Sequence, residues 1–201
     1  MLVLYILCLK LAKIRKEIKE KEYEIFIKNL KSLPEAIKKS LEIEGSIQSM
    51  AKEFTNAKGS MFLGRGTSFP IALEGALKLK ELSYLHAEGY PAGEMKHGPL
   101  ALIEEGLPVI VIAPKDKYFE KTLSNMQEVI ARGGKILFIT DHKKELIDEN
   151  IRFSIKVPSL GSLLSPILLT IPVQLLAYHV ALLKGCDIDK PRNLAKSVTV
   201  E

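Results

Sequence analysis

Residues 75–102, GALKLKELSYLHAEGYPAGEMKHGPLAL, decide how this chain folds. They begin in the second half of a helical pattern and pass into a loop rich in glycine and proline. A short apolar run, Ser60–Gly64, precedes that helix, and a second one, Val109–Ala113, follows the loop. Short apolar runs bounded by turn residues are typical of buried strands. The ionisable side chains in this passage fit either an α/β active site or an ordinary charged loop.

Strands and helices continue to alternate after this passage. We predict strands over Ser60–Gly64, Val109–Ala113, Lys135–Thr140 and Arg152–Val157, and helices over Phe69–Leu85, Lys117–Arg132, His142–Glu149 and Ser162–Lys184. His86–Tyr90 is a candidate for a further short strand at an edge. Apolar strands that alternate with helices indicate a parallel sheet covered on both faces. The fold class is therefore α/β, a three-layer sandwich with a parallel sheet of four to five strands flanked by helices.

The chain before the first strand is predicted to be helical. Residues 2–32 have apolar side chains at roughly helical spacing, so we predict one long helix that ends at Ser32–Pro34. Pro34 then starts a second helix that runs to Leu41, and a third covers Ile47–Phe54. We divide the chain into residues 1–33, a main domain 34–186, and a polar tail 187–201 that runs over the surface at the strand ends.

The apolar start of the first helix has too many apolar sides to be exposed, so another part of the chain or a partner must cover it. A chain cut from a longer one would show the same feature.

Composition and charge exclude several classes of protein. The net charge is +5, but residues 1–40 hold 10 Lys/Arg against 5 Asp/Glu, so the rest of the chain is neutral. The sequence has no basic face with interleaved aromatic residues, which argues against nucleic acid as a partner. Cys8 and Cys186 lie far apart without metal-ligand spacing, which indicates a reducing compartment and therefore the cytoplasm. Residues 157–183 carry no charged side chain, and we interpret them as a buried core helix rather than a membrane span.

Two groups of side chains, in the deciding stretch or directly before it, are candidates for chemistry. Glu74, Lys78 and Glu81 share one stripe of a helix, which fits a surface ladder of ion pairs or a carboxylate base held beside a lysine. His97 lies in a loop between glycines, where proton transfer or ligand binding is a reasonable role. Glu94 has a possible spacing to His97 for a metal, but no third ligand is evident, so we predict no metal site.

Two further features carry weaker signals. GRGTSF, residues 64–69, follows a strand and opens a helix, so its amides together with Thr67 and Ser68 are candidates for holding an anion. The tail is either a solvated end or a structured terminus. In the second case one of its lysines supplies an amine for a Schiff base, with a pKa lowered by burial or by a neighbouring cation.

These motifs together resemble a known family. The deciding stretch, the preceding FLGRG, the apolar PVIVIAP and the terminal PRNLAKSVTVE are similar to the C-terminal sugar isomerase (SIS) half of glucosamine-6-phosphate synthase, the isomerising glutamine–fructose-6-phosphate transaminase. The match runs from about Gly45 to Glu201, and the helical segment before it resembles the end of the family's first SIS domain. The resemblance implies a flavodoxin-like SIS fold.

The resemblance also implies roles for individual residues. In the family a glutamate moves a proton between C1 and C2 of the substrate, and by motif match this is Glu81, assisted by Lys78. His97 matches the histidine of ring opening, which a neighbouring subunit donates. Lys196 matches the lysine that forms a Schiff base with the open ketose, and the backbone around Ala195 lines the sugar site. The resemblance implies a sugar-phosphate substrate, fructose 6-phosphate or glucosamine 6-phosphate, a homodimer, and no metal or organic cofactor.

The family's glutaminase domain has no counterpart in these 201 residues, and neither does its first SIS domain, which holds the sugar phosphate, apart from the last helix of that domain. We therefore expect an incomplete enzyme that acts with those missing parts, either as a fragment or as a separately encoded subunit. Two alternatives stay open. One is a non-catalytic SIS module that binds a phosphosugar, and the other is an amino-sugar deaminase or deglycase of the same superfamily.

Overall fold

A five-stranded parallel sheet forms the centre of the protein in a computed structural model that describes residues 1–142 and 149–194. The strands are β1 Gly59–Gly64, β2 His86–Pro91, β3 Pro108–Ile112, β4 Lys135–Thr140 and β5 Ile151–Lys156. Their spatial order is β2-β1-β3-β4-β5, and every neighbouring pair is parallel. This is the strand order of flavodoxin-like sheets. The predicted α/β class is confirmed, and His86–Tyr90 does form an edge strand.

The strands separate two apolar clusters because successive side chains point to opposite faces of a sheet. In β1, Phe62 faces one cluster, whereas Met61 and Leu63 face the other. In β3, Ile110 and Val111 divide in the same way. Both faces are buried, and this explains why these strands are continuous apolar runs rather than alternating ones.

Helices cover both faces of the sheet. The helices are α1 Leu2–Ile14, α2 Glu20–Leu41, α3 Glu44–Ala51, α4 Ser68–Ser83, α5 Phe119–Ile130 and α6 Ser165–Leu183. Helices α2, α3, α4 and α6 contribute to the cluster that contains Phe62, and α5 packs on the opposite face. Two short 3₁₀ helices, Ala92–His97 and Pro99–Leu102, lie on the α5 side, where Met95 and Leu100 are buried.

The prediction of one helix over residues 2–32 is wrong, because α1 and α2 are separate helices. Lys16 adopts a left-handed conformation with φ of 57°, which an α-helix cannot accommodate. The backbone N–H of Lys19 then donates to the Glu22 carboxylate at 3.0 Å and starts α2. A glutamate three residues after the first cap position is a helix-start signal, which the apolar periodicity of the segment concealed.

The predicted helix boundary at Ser32–Pro34 is also wrong, because Pro34 lies inside α2. Proline removes one backbone hydrogen bond and crowds the preceding turn. The helix continues because Leu33, Ala36 and Ser40, on either side of the proline, are buried against the rest of the fold. Tertiary packing thus outweighs the local preference, and the proposed domain boundary at residue 33 does not coincide with a break in the helix.

Helices α4 and α6 end at the amino edge of the sheet, because a helix that follows a parallel strand runs back along it. From the sequence, the tail is predicted to cross the carboxyl ends of the strands. The described part of the tail, residues 187–194, starts instead at the amino edge. The third helix starts at Glu44 rather than Ile47 and continues as a 3₁₀ turn through Phe54. Most of the predicted helix His142–Glu149 lies outside the described residues.

Helix α6 is the one helix in the described part of the chain that is long and apolar enough to cross a membrane, with a mean hydropathy of 1.8. Length and composition alone are weak evidence for a span, since core helices pass the same test. Of the most apolar 18-residue segment of this helix, 56% is buried inside the fold. Leu168, Val173 and Leu176 pack in the core cluster with α4, as expected for a core helix.

Candidate functional site

The predicted site residues lie at two different edges of the sheet. Helix α4 begins at the carboxyl edge with Ser68, directly after Thr67, and ends at the amino edge with Ser83. Glu81 lies 14 residues after Thr67, which corresponds to about 21 Å along a helix. The structure therefore does not bring Thr67 and Ser68 together with Lys78 and Glu81.

Lys78 and Glu81 form an ion pair on the outer side of α4. The Lys78 ammonium donates to the Glu81 carboxylate at 2.6 Å, and the two side chains are 34% and 28% exposed. This hydrogen bond is the main reason why the pKa of Lys78 lies above its ordinary value, and the negative charge of Glu74 acts in the same direction. The pair keeps the lysine charged and holds the carboxylate in one place where a ligand can reach it.

The C-terminal segment returns to the end of α4 next to this pair. The backbone N–H of Arg192 donates to the Tyr84 hydroxyl at 2.8 Å, and its guanidinium lies 4.1 Å from the centre of the Tyr84 ring. Tyr84 is three residues after Glu81 and closes α4 in a left-handed conformation with φ of 57°. The described tail therefore contacts the residue that closes α4, three positions after Glu81. Ala195 and Lys196 lie outside the described residues.

His97 lies away from this pair, on the other face of the sheet. It ends the 3₁₀ helix that follows β2, and its side chain is 75% exposed, with Nε2 3.9 Å from the Glu94 carboxylate. Met95 anchors this segment in the α5-side cluster, and Lys96 pairs with Glu128 of α5 at 3.0 Å. The sheet therefore separates His97 from Glu81 within one chain.

The start of α4 offers less to an anion than the sequence predicted. The amides of Ser68 and Phe69 already donate to the carbonyls of Arg65 and Gly66, at 3.1 and 3.2 Å. The next residue, Pro70, has no N–H. The first amides of the helix are thus not free to cradle a ligand. Within the described residues, the buried Ser68 hydroxyl has no hydrogen-bond partner.

Sequence reasoning missed Tyr84 and Arg192, which join the tail to α4. Neither residue belongs to a spacing pattern, so no signal in the sequence points to their contact. Reasoning also missed residues 115–118, a charged and aromatic segment that directly follows β3 and lines a crevice at the carboxyl edge. Its position after a buried strand was a usable signal, since parallel sheets bind ligands at this edge.

Within residues 1–142 and 149–194, no three His, Cys, Asp or Glu side chains come together as metal ligands. Glu94 and His97 are near one another, but the structure adds no third group to them in this part of the chain. Cys8 and Cys186 are both free thiols.

Comparison with known proteins identifies relatives of this chain. The family model described as SIS domain matches residues 53–184. Among curated proteins, glutamine–fructose-6-phosphate aminotransferase [isomerizing] of Bartonella henselae is 52% identical over 196 residues, which cover 97% of this chain and 32% of the relative. The chain thus spans about a third of the length of the curated relatives it matches.

Two solved structures extend the comparison. The C-terminal domain of glucosamine-fructose-6-phosphate aminotransferase from Francisella tularensis superposes with a TM-score of 0.89 at 40% identity, covering 93% of this chain and 53% of the other. A glucosamine-6-phosphate deaminase from Thermotoga maritima superposes with a TM-score of 0.63 at 27% identity, covering 94% and 52%. The resemblance that the motifs suggested is therefore confirmed.

Proposed function

The chain belongs to the SIS domain family, and on that premise we propose that it is the C-terminal isomerase half of a glutamine–fructose-6-phosphate aminotransferase. In this role it converts fructose 6-phosphate, as its imine, to glucosamine 6-phosphate. The single observation that carries the proposal is the Lys78–Glu81 pair on the helix whose last residue, Tyr84, the tail contacts, in a chain about half identical to such enzymes.

The proposed chemistry assigns one task to each residue. Lys196 forms an imine with the carbonyl carbon C2 of the open ketose and releases water. Ammonia then displaces the lysine and leaves the substrate imine. Because an imine withdraws electrons, the proton on C1 becomes removable, and the Glu81 carboxylate takes it and returns it to C2. The C1 hydroxyl loses its proton and the imine nitrogen gains one, which leaves the C1 aldehyde and the C2 amine of glucosamine 6-phosphate. Lys78 holds this carboxylate in place.

The reach of the tail supports the assignment of Lys196. Arg192 lies against Tyr84, and Lys196 follows four residues later. Four residues span at most about 14 Å, so the proposal requires no longer reach than that from Arg192. The neighbouring Ala195 backbone is assigned to the sugar site by the same resemblance that assigns Lys196.

The position of His97 supports a homodimer. Its own Glu81 is on the other face of the sheet, whereas the side chain of His97 is largely exposed. An exposed histidine in this position is open to a site on another copy of the chain, where it acts as the acid or base of ring opening.

The exposed face of α1 supports a partner domain that precedes this one. None of its residues is buried, and Val3, Leu4 and Ile14 are among its exposed apolar side chains. A cytoplasmic first SIS domain with its glutaminase, on the same or on a separate chain, would cover this face and supply the phosphate loop and the ammonia. Neither nucleic acid nor membrane has a part in this proposal.

Activity in the presence of these missing parts tests the proposal. The chain is mixed with fructose 6-phosphate and ammonium, with and without the preceding domains of the Bartonella henselae relative, and glucosamine 6-phosphate is measured. Glu81→Gln should lower the rate at least about 10²-fold. Glu74→Gln, on the same helix, is the matched control and should retain most activity. A folded complex without product would contradict the proposal.

A mixing experiment tests the shared site. Glu81→Gln and His97→Asn should each be inactive alone, whereas a mixture of the two should regain activity, since mixed dimers contain one intact site. A mixture that stays inactive after subunit exchange would contradict the donation of His97 by a second copy.

A second candidate function is amino-sugar deamination, which the structural match to the Thermotoga maritima deaminase favours. Release of ammonia from glucosamine 6-phosphate without the preceding domains would support it. A non-catalytic phosphosugar-binding module is distinguished by calorimetry, in which tight binding of glucosamine 6-phosphate without turnover would be seen.

A further inference from the structure

The segment that carries His97 is a short 3₁₀ helix, Ala92–His97, and helix α5 packs against it. The hydrogen bonds of a 3₁₀ helix have poorer geometry than those of an α-helix, so runs longer than about three or four residues are uncommon. This helix has six residues. Contacts with other elements must therefore help to hold the segment in place.

The start and middle of this segment are anchored, whereas the position after His97 is not. Ala92 and Met95 are fully buried in the α5-side cluster. The Asn125 side-chain amide of α5 donates to the Ala92 carbonyl at 3.2 Å. Gly98 has φ of 137°, and no atom of the described chain lies within 4 Å of the place where its Cβ would be. Packing at position 98 therefore does not restrain the histidine.

Glu128 of α5 restrains the residue directly before the histidine. Its carboxylate Oε1 forms an ion pair with the Lys96 ammonium at 3.0 Å. Glu128 lies three residues after Asn125, so the two side chains share one stripe of α5 and hold the segment at both ends. Only the ion pair acts next to His97, and it therefore sets the direction in which the end of the segment points.

This carboxylate is a costly way to attach a helix to the fold. The Glu128 side chain is only 22% exposed, and within the described residues its buried Oε2 has no hydrogen-bond partner. A buried carboxylate costs free energy unless its oxygens are paired, and apolar side chains of similar size often stabilise a protein as well or better. Stability alone therefore does not account for a charge at this position, whereas the orientation of Lys96 and His97 does.

We propose that Glu128 is a positioning residue, which acts through Lys96 to aim His97 at the site on the second copy of the chain. Its catalytic consequence rests on the proposed function, in which His97 opens the sugar ring. Glu128 itself touches no substrate. Because a misplacement of about 1 Å can cost up to about 10²-fold in rate, loss of this restraint should slow the reaction without preventing folding.

Kinetics and thermal unfolding of Glu128→Met test this role in the synthesis assay described above. We expect kcat to fall about tenfold or more, with a much smaller change in KM and an unchanged or raised Tm. Glu120→Gln, an exposed carboxylate on the same helix, is the matched control and should keep its activity. Lys96→Arg preserves the ion pair and should also remain active. An unchanged kcat in Glu128→Met, or a loss accompanied by a drop in Tm of more than about 5 °C, would overturn the assignment.

Mixed dimers show which site the change affects. Glu128 and His97 lie on the same chain, so a mixture of Glu128→Met with Glu81→Gln should regain activity through one intact site. A mixture of Glu128→Met with His97→Asn should stay slow, because neither chain then supplies a correctly aimed histidine. Equal activity of the two mixtures after subunit exchange would overturn the role in aiming His97.

Amide hydrogen exchange separates this inference from the proposed function, because it needs no turnover. The backbone amides of residues 92–97 should exchange faster in Glu128→Met than in the unmodified chain, and at an unchanged rate in Glu120→Gln. Faster exchange without synthesis by any form would refute the proposed function and still support the restraint by Glu128. Unchanged exchange in Glu128→Met would overturn the positioning role, whatever the activity.

Discussion

Replacement of Asp141 with alanine removes the acceptor of three hydrogen bonds at the carboxyl edge of the sheet. The Asp141 carboxylate is 6% exposed and accepts from the Lys115 amide at 2.6 Å, the Ser165 hydroxyl at 3.0 Å and the Ser159 hydroxyl at 3.1 Å. These donors belong to the loop after β3, the start of α6 and the segment between β5 and α6. One side chain thus holds three separate parts of this edge together.

The expected loss of stability follows from the hydrogen-bond donors that Asp141→Ala leaves without an acceptor. A hydrogen bond to a charged acceptor is worth about 1.5–3 kcal/mol. The two serine hydroxyls can rotate toward other acceptors, whereas the Lys115 amide cannot, and removal of a buried charge recovers part of its desolvation cost. We therefore expect Asp141→Ala to lower the free energy of unfolding by about 3 kcal/mol, which for a chain of this length lowers Tm by about 6–12 °C.

Urea denaturation followed by circular dichroism measures this loss, and thermal unfolding gives the matching shift in Tm. Asp116→Ala is the control, since this carboxylate accepts one backbone N–H in a partly exposed loop and should cost about 1 kcal/mol. The reasoning is refuted if Asp141→Ala costs less than Asp116→Ala, or if its loss is indistinguishable from zero.

Two further predictions concern the sheet and its covering helices. Burial raises the pKa of the Glu53 carboxyl, but hydrogen bonds from Arg152 and Lys135 outweigh this, so the pKa lies below its ordinary value of 4.5. A lowered carboxyl pKa stabilises the folded state above the unfolded pKa, and this contribution is lost as the pH falls through the folded value. Glu53→Gln should thus cost about 1–2 kcal/mol at neutral pH, and this cost should shrink as the pH falls below 4.5, measured by urea titration at a series of pH values; a cost that stays constant into acid would contradict the pairing. For Gly75→Ala, the added Cβ would lie 2.6 Å from the buried Phe62 ring and 3.1 Å from Val173, so we expect a loss of about 1–3 kcal/mol. Gly45→Ala in α3, where nothing lies within 4 Å, should instead be neutral or stabilising by up to about 1 kcal/mol, and an equal loss in both would show that packing is not the cause.

The apolar runs predicted the sheet because its central strands β1, β3 and β4 are buried on both faces. The apolar run Val109–Ala113 became β3 Pro108–Ile112, and Lys135–Thr140 became β4 without change. The helix from Phe69 became α4, which begins at Ser68. Local sequence failed where packing opposed it. Pro34 predicted a boundary but lies inside α2, because its neighbours Leu33 and Ala36 are buried.

The sequence by itself predicted which residues are candidates for the chemistry, because motifs such as LKLKE and KHGPL fix their spacing along the chain. It placed Lys78 and Glu81 on one helical stripe, and the 2.6 Å ion pair follows from that spacing. Only the tertiary structure decided how these groups are distributed in space. A helix after a parallel strand runs back toward the amino edge, so the end of α4 and the described tail meet there through Tyr84 and Arg192. The segment of His97 lies on the other face of the sheet, and the charged loop after β3 faces a separate crevice. Spacing along a chain cannot encode which face or edge a residue reaches, because the order and crossover of the strands set both.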